Sequence, residues 1–177
     1  MKKFLILILI SIVILSISLA FNTRNNYKFV EVDNSTRQMY INYLNKQVKS
    51  VPKLSKQEIR TLLEEELDFK HYIYKEGSVK TGGKLLALYR VIKMDKDIDI
   101  EQYCINLCHE MCHIKYFTGN EIYTQFMAFK SLYESDNEVL RNIGTWFGIY
   151  LLDRNYGTED DCSQLIVDYL VDNVEIQ

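Results

Sequence analysis

This 177-residue chain has a continuous apolar run near its N-terminus, from Phe4 to Phe21, which sets residues 1–21 apart from the rest of the chain. Lys2 and Lys3 precede the run, and serine is the only polar residue type within it. Positive charge followed by a continuous apolar segment is typical of an export signal or a membrane anchor. Ser18 and Ala20 are small residues that fit a cleavage site after position 20, so a cleaved signal and a retained anchor both remain open.

The rest of the chain is long enough for one domain. We predict a signal or anchor over residues 1–21, a polar linker over 22–34 and a single domain over 35–177. The positive charge that precedes the apolar run predicts that this domain lies outside the cytoplasm, either secreted or anchored to the membrane. The first cysteine of the chain is Cys104, which excludes a lipid-anchored cysteine beside the cleavage site.

The composition indicates a globular protein and argues against nucleic acid as its partner. Hydrophobic residues make up 47% of the chain, which has 7 Gly and a single Pro. These values exclude collagen-like and proline-rich classes. The net charge is only −3, and the chain has no zinc-finger spacing or arginine-rich arm. The first part of the chain, to Lys96, is basic and the remainder is acidic. Either the acidic helices are simply solvated, or a basic half lies near a membrane and an acidic half prefers cationic partners.

Hydrophobic periodicity predicts a mainly helical α+β domain. A helix is predicted from Ser35 to just before Pro52, with three residues on its core face: Met39, Tyr43 and Val48. A capping box of Ser55 and Glu58 predicts the start of a second helix, which runs to residue 68. Its predicted buried stripe contains Ile59, Leu62, Leu63 and Leu67.

The pattern then changes to that of strands before it returns to helix. A strand around His71 and Ile73, a glycine-rich break, and a second strand over Leu85–Met94 predict a β-hairpin. Four further helices are predicted, over Asp97–Phe117, Glu121–Ser135, Glu138–Asp153 and Glu159–Val174.

One short segment carries residues suited to catalysis. It reads His109-Glu110-Met111-Cys112-His113, the pattern His-Glu-x-x-His, and it lies inside a predicted helix. Two histidines four residues apart project from one helix face, where they can bind a single tetrahedral Zn²⁺. Glu110 points to the side of this pair. Its carboxylate can there accept a proton from a water molecule activated by zinc and pass it to a leaving amine.

This segment resembles the zincin metallopeptidases, whose active-site helix carries the same motif. The resemblance covers about Leu85 to Leu132. It implies a zinc-dependent peptidase that hydrolyses peptide bonds of an extracytoplasmic peptide or protein. It also implies an edge strand that precedes the helix and aligns the substrate, a place that Leu86–Lys93 would fill. The implied fold is zincin-like, with a small β-hairpin or sheet, then the motif helix, then a C-terminal helical bundle.

A third zinc ligand is needed, and the residues after the motif limit the choice. Metzincin-type enzymes have Gly and His three and six residues after the second motif histidine. Tyr116 and Gly119 stand at those positions, so that subclass is rejected. Gluzincin-type enzymes use a Glu on the next helix, often after an Asn, and Asn120-Glu121 offers this pair. If the chain turns back through residues 118–120, Glu121 reaches the metal.

Two departures from the gluzincin pattern leave alternatives open. Only seven residues separate His113 from Glu121, and Gln125 stands where such enzymes carry a supporting Asp. The Gln125 carbonyl oxygen can still accept a hydrogen bond from an imidazole N–H, but it lacks the charge. Glu121 could instead be a favourable charge at a helix N-terminus. The fallback ligands are His71, Glu134 and Asp136.

The donor for the oxyanion and the role of the cysteines also stay open. Candidate donors, by proximity in sequence, are Tyr103, Tyr116, Tyr123 and Arg90.

A stripe of cysteines recurs every fourth residue, at Cys104, Cys108 and Cys112. We interpret it as buried packing, with at most one of these residues paired with Cys162. A structural zinc bound by two of these cysteines and the motif histidines is the alternative.

Two other functions compete with the peptidase. The first is a zincin-like binding module that has lost turnover and recognises another exported protein. The second is a metal-free helical envelope protein in which both motif histidines lie in the core.

Overall fold

The computed structural model describes residues 12, 28, 30–50, 52–70, 72–79, 83–86, 91–159 and 161–174. Within these residues it has six helices and three short strands. In chain order they are α1 (Asn34–Asn45), α2 (Lys56–Glu66), β1 (Ile73–Gly77), β2 (Gly83–Leu86), β3 (Val91–Asp95), α3 (Ile100–Lys115), α4 (Glu121–Tyr133), α5 (Glu138–Asp153) and α6 (Ser163–Asn173). The prediction of a mainly helical α+β protein is confirmed.

Helix α2 begins where its capping box predicts, and α1 begins one residue before the predicted Ser35, with Asp33 as its N-cap. The capping box of Ser55 and Glu58 is present at the start of α2, whose residues Ile59 and Leu63 are buried. In α1 the predicted core face is correct only for Tyr43, which packs against the core, because the buried residues are Tyr40, Ile41 and Leu44. Met39 is 43% exposed and Val48 is 40% exposed. The helix ends at Asn45, so Val48 no longer follows a helical period.

The sheet differs from the predicted hairpin. Its strand order is β1-β3-β2, so β3 is central. β1 pairs with β3 in parallel, whereas β2 pairs with β3 antiparallel. The predicted strand Leu85–Met94 therefore contains parts of two strands that pair with each other. The first predicted strand does pair with residues of the second, those of β3, but the pairing is parallel, so the predicted hairpin is wrong.

Helix α3 lies between the sheet and the other helices. It packs against β2 and β3 on one side and against α4 and α5 on the other. Helix α5 contacts α1, α4 and α6, so it forms the centre of the helical layer. The approach of α4 to α5 depends on glycine, since a Cβ atom at Gly144 would lie 2.6 Å from the backbone carbonyl carbon of Leu132.

The predicted signal or anchor over residues 1–21 lies outside the described residues except for Ile12, as does most of the predicted linker. Within the described parts of the chain, no helix has both the length and the apolar character needed to cross a bilayer. The division into signal or anchor, linker and single domain therefore stays a prediction.

Candidate metal centre

Helix α3 presents the two motif histidines on its less buried side. The helix begins at the N-cap Asp99, whose carboxylate accepts a hydrogen bond from the Gln102 backbone at 2.7 Å. Its opposite face is fixed in the core by apolar residues such as Leu107 and Met111. His109 and His113 are half-buried, and their rings meet edge-on at 4.7 Å between centroids. The burial of one helix face thus sets the direction in which both imidazoles point.

The turn after α3 is a Schellman motif. The backbone N–H of Phe117 donates to Ile114 O at 3.3 Å, and that of Thr118 donates to His113 O at 3.2 Å. Phe117 adopts the left-handed conformation that this motif requires, with φ 49°. Asn120 then caps α4 by accepting a hydrogen bond from the Tyr123 backbone at 2.9 Å. Because the turn is short, the first residue of α4 returns to the end of α3.

That first residue is Glu121, and it completes a cluster with the two histidines. Glu121 Oε2 lies 3.0 Å from His109 Nε2, and Oε1 lies 3.4 Å from His113 Nε2. The two Nε2 atoms are 3.0 Å apart. The structure thus brings His109, His113 and Glu121 together, with their ligand atoms within 4.8 Å of one another. We call these three residues the His-His-Glu cluster.

The geometry and chemistry of the cluster fit a zinc ion. Zinc binds histidine nitrogen and carboxylate oxygen at roughly 2.0–2.2 Å, so neighbouring ligand atoms of a tetrahedral site lie about 3.3–3.5 Å apart. In the cluster the two Nε2 atoms lie 3.0 Å apart, and they contact different Glu121 oxygens, at 3.0 Å from His109 and 3.4 Å from His113. Two histidines and one carboxylate also form a familiar ligand set for catalytic zinc, which keeps a fourth position open.

The pKa shifts within the cluster show which of its groups is charged, and the histidines must be neutral to bind a cation. Hydrogen bonds to His109 and then to His113 hold the pKa of the Glu121 carboxyl well below its usual range. For His113, burial acts to lower the pKa, but the hydrogen bonds to Glu121 and to the Thr118 carbonyl outweigh burial and raise it. Glu121 is therefore ionised at neutral pH and supplies a negative charge at the cluster.

The orientation of His113 is fixed by a backbone carbonyl. His113 Nδ1 donates to Thr118 O at 2.9 Å, and the Thr124 hydroxyl lies 3.2 Å from the same nitrogen. With its proton on Nδ1, neutral His113 presents the lone pair of Nε2 to the cluster. Sequence reasoning assigned such support to Gln125, whereas at His113 the structure assigns it to Thr118 and Thr124.

The general base predicted from the motif faces a strand. A Cβ atom placed on Gly83 of β2 would lie 3.3 Å from Glu110 Oε1, so the carboxylate lies directly against the strand backbone. Gly83 was not predicted as a site residue, and no sequence signal marks its contact with α3. Thr118 acts through its backbone, which sequence does not reveal. Thr124 could have been found, since it follows Glu121 by three residues on one helix face.

The other predicted site residues lie elsewhere or outside the described chain. His71 and Arg90 are outside the described residues. Glu134 accepts a hydrogen bond from the Tyr169 hydroxyl at 3.0 Å and is not in the cluster. Asp136 is exposed and is also not in the cluster. Tyr103 is buried under Lys56, and the rings of Tyr116 and Tyr123 pack edge-on at 6.2 Å. The oxyanion donor stays a prediction.

The cysteines belong to the core. All four are buried, as the packing interpretation predicts, and no disulfide joins any two of them. Cys108 lies with its sulfur 3.8 Å from the carbonyl oxygen of Ala128 on α4. Burial raises the pKa of the Cys104 thiol. Among the described residues no cysteine joins a metal-binding cluster, so the mixed cysteine–histidine site receives no support.

Comparison of the chain with protein-family models, with curated proteins and with solved structures finds no match. The function is therefore argued from the geometry of the His-His-Glu cluster and the residues around it.

Proposed function

We propose that this protein is a zinc-dependent peptidase with a zincin-like active site. The observation that supports it most strongly is the convergence of His109, His113 and Glu121 across a short helical hairpin. A pair of histidines in a helical core would need no carboxylate between them. A carboxylate at a helix N-terminus would likewise need no histidines. The three side chains together form a familiar ligand set for catalytic zinc, and their ligand atoms lie within 4.8 Å of one another.

In the proposed hydrolysis, different residues of the chain act as metal ligands and as the general base. His109, His113 and Glu121 would hold the ion, which supplies a Lewis acid that activates water for attack on a peptide carbonyl. Glu110 follows His109 directly and lies on the strand side of α3. As general base, it takes the proton from the attacking water and delivers it to the leaving amine.

Strand β2 is suited to align the substrate. It forms one edge of the described sheet, and its Gly83 backbone contacts the Glu110 side chain. An extended peptide that adds to this edge would pass beside the general base. The sequence-based assignment of Leu86–Lys93 to the edge strand needs correction, since Val91–Lys93 belongs to the central strand β3.

The proposed substrate is a peptide or protein outside the cytoplasm. This location follows from the apolar run Phe4–Phe21 and the lysines before it, and it includes association with a membrane if the run is retained. The acidic half of the chain favours basic segments of a substrate.

The first experiment measures zinc in the full-length protein, purified without added metal or chelator. We expect about one equivalent by mass spectrometry, and little in His109→Ala or Glu121→Ala. Glu101→Ala is the matched control, because Glu101 and Glu121 are each the acidic residue in the first turn of their helix. Equal zinc in the two glutamate variants would contradict Glu121 as a ligand. Absence of zinc from the reconstituted parent would contradict the peptidase.

The second experiment separates the peptidase from its rivals. Glu110→Gln is expected to retain zinc and lose hydrolysis of a peptide mixture by at least a hundredfold. A binding module would show no hydrolysis in the parent either, although its metal would be present. A metal-free helical protein would bind no zinc and would lose stability when either histidine is replaced.

A further inference from the structure

Phe117, in the turn that ends helix α3, has a placement that neither packing nor backbone preference explains. Phe117 is 69% exposed, the highest value among the exposed large hydrophobic residues of the described chain. Its φ of 49° lies in the left-handed region, which bulky side chains rarely adopt. Glycine is the usual residue at this position of a Schellman motif. A phenylalanine here is unfavourable for the backbone and exposes its ring to water.

Helix α2 ends with the same motif and provides an internal comparison. Asp68 has φ 47°, and the backbone N–H of Phe69 donates to Glu64 O at 2.8 Å. Asp tolerates the left-handed region better than most residues do. The aromatic residue of this turn, Phe69, comes one position later and is buried. A Schellman motif can therefore end a helix while the aromatic residue of the turn is buried in the core. At the end of α3, by contrast, the aromatic residue Phe117 is exposed.

Phe117 adjoins the His-His-Glu cluster. The next residue, Thr118, accepts the hydrogen bond from His113 Nδ1 at 2.9 Å. Phe117 lies on the loop that joins the two ligand-bearing helices. Because neighbouring Cα atoms are about 3.8 Å apart, its backbone is close to the proposed metal site. One residue and one hydrogen bond thus connect Phe117 with the cluster, a separation that a few residues of an extended peptide span at about 3.4 Å per residue.

We propose that Phe117 is a specificity-determining residue whose ring binds an apolar side chain of the substrate close to the scissile bond. This inference rests on the proposed peptidase function. An exposed ring gains no free energy from the folded chain alone, but it removes apolar area from water when a substrate side chain covers it. The substrate class is therefore a peptide with a large aliphatic or aromatic residue beside the cleaved bond.

The test compares three variants of the full-length, zinc-loaded protein with the parent. Phe117→Gly removes the ring and suits the left-handed backbone, so the fold and the zinc content are expected to be retained. Phe117→Leu keeps an apolar side chain. Asp68→Gly makes the same backbone change in the matching turn of α2 and controls for it. Each protein cleaves a mixture of synthetic random-sequence peptides, and mass spectrometry gives the residue preferences around the cleaved bonds.

The expected result is an apolar preference at one position in the parent, in Phe117→Leu and in Asp68→Gly. In Phe117→Gly we expect this preference to flatten and kcat/KM for the preferred peptides to fall about tenfold. Zinc-loaded Glu110→Gln, with and without Phe117→Gly, gives a second readout: the Kd for a labelled preferred peptide should rise by a similar factor.

Cleavage by Phe117→Gly with the parent's preferences would overturn the role of Phe117 and leave the peptidase standing. No cleavage by the zinc-loaded parent would overturn the peptidase, and this inference with it.

Discussion

At the scale of single residues, the threonine hydroxyl beside His113 gives a direct test of how the cluster is supported. Thr124 is buried, and its hydroxyl donates to Asn120 O at 2.8 Å while it lies 3.2 Å from His113 Nδ1. Thr124→Val keeps the shape but removes the oxygen. Since partners of a ligating histidine typically contribute a factor of 10–100 to metal affinity, we expect zinc to bind about tenfold more weakly.

The matched control for that change is Thr145→Val in helix α5. Thr145 is also buried, and its hydroxyl donates to the Arg141 carbonyl at 2.9 Å, away from the cluster. Both variants lose one buried hydroxyl, so similar losses of stability are expected. Zinc affinity, measured by competition with a chelator, should fall only in Thr124→Val. If Thr124→Val bound zinc as tightly as Thr145→Val does, the Thr118 carbonyl alone would orient His113.

At the scale of elements, the caps of α4 and α5 separate helix stability from metal binding. Asn120 caps α4 next to Glu121, and Asn137 caps α5 by accepting from Val139 N at 3.0 Å. Replacing either asparagine with alanine should lower the free energy of unfolding by about 1 kcal/mol, because a cap hydrogen bond is lost. Urea unfolding of the metal-free protein measures this loss.

Only the first cap is expected to affect zinc. Asn120→Ala loosens the first turn of α4 and with it the position of Glu121, so zinc affinity should fall. Asn137→Ala should leave the affinity unchanged, because Asn137 lies at the other end of the α4–α5 pair. If zinc affinity fell equally in both variants, the stability of the whole fold, and not the local turn, would determine how tightly zinc binds.

The elements also show which parts of the fold can be predicted from the sequence. Helices with clear caps, such as α2 after Ser55 and α5 over Glu138–Asp153, begin close to where they are predicted. Local hydrogen bonds determine those positions. The pairing of β1 with β3 depends on contacts between segments separated by β2, and the local pattern of apolar residues does not specify that order.

The residues around the His-His-Glu cluster show the same difference between local features, which the sequence predicts, and contacts between distant segments, which it does not. Glu121 was predicted as a ligand from the Asn120-Glu121 pair and from a turn through residues 118–120, both of which are local features of the sequence. The contact of Glu110 with Gly83 joins residues that are far apart in sequence, and it depends on how α3 lies on the sheet. The support from Thr118 uses a carbonyl that every residue carries, so the residue type gives no indication of it.

At the scale of the whole molecule, the buried phenols predict how the fold responds to alkali. Burial raises the pKa of six tyrosines: Tyr40, Tyr74, Tyr103, Tyr116, Tyr133 and Tyr169. For Tyr133 the value reaches about 12. These residues lie on several helices and on strand β1, so their ionisation is coupled to the packing of the entire domain.

We expect stability to fall as the pH rises above about 10, the ordinary pKa of tyrosine. The unfolded chain loses its phenolic protons near that pH while the folded chain retains them, so unfolding releases protons and alkali favours it. Urea unfolding at pH 8, 10 and 11 measures the fall. Absorbance at 295 nm should show the tyrosines ionising together with unfolding. Tyr133→Phe should reduce the slope of stability against pH, whereas a constant stability to pH 11 would contradict the burial of these rings.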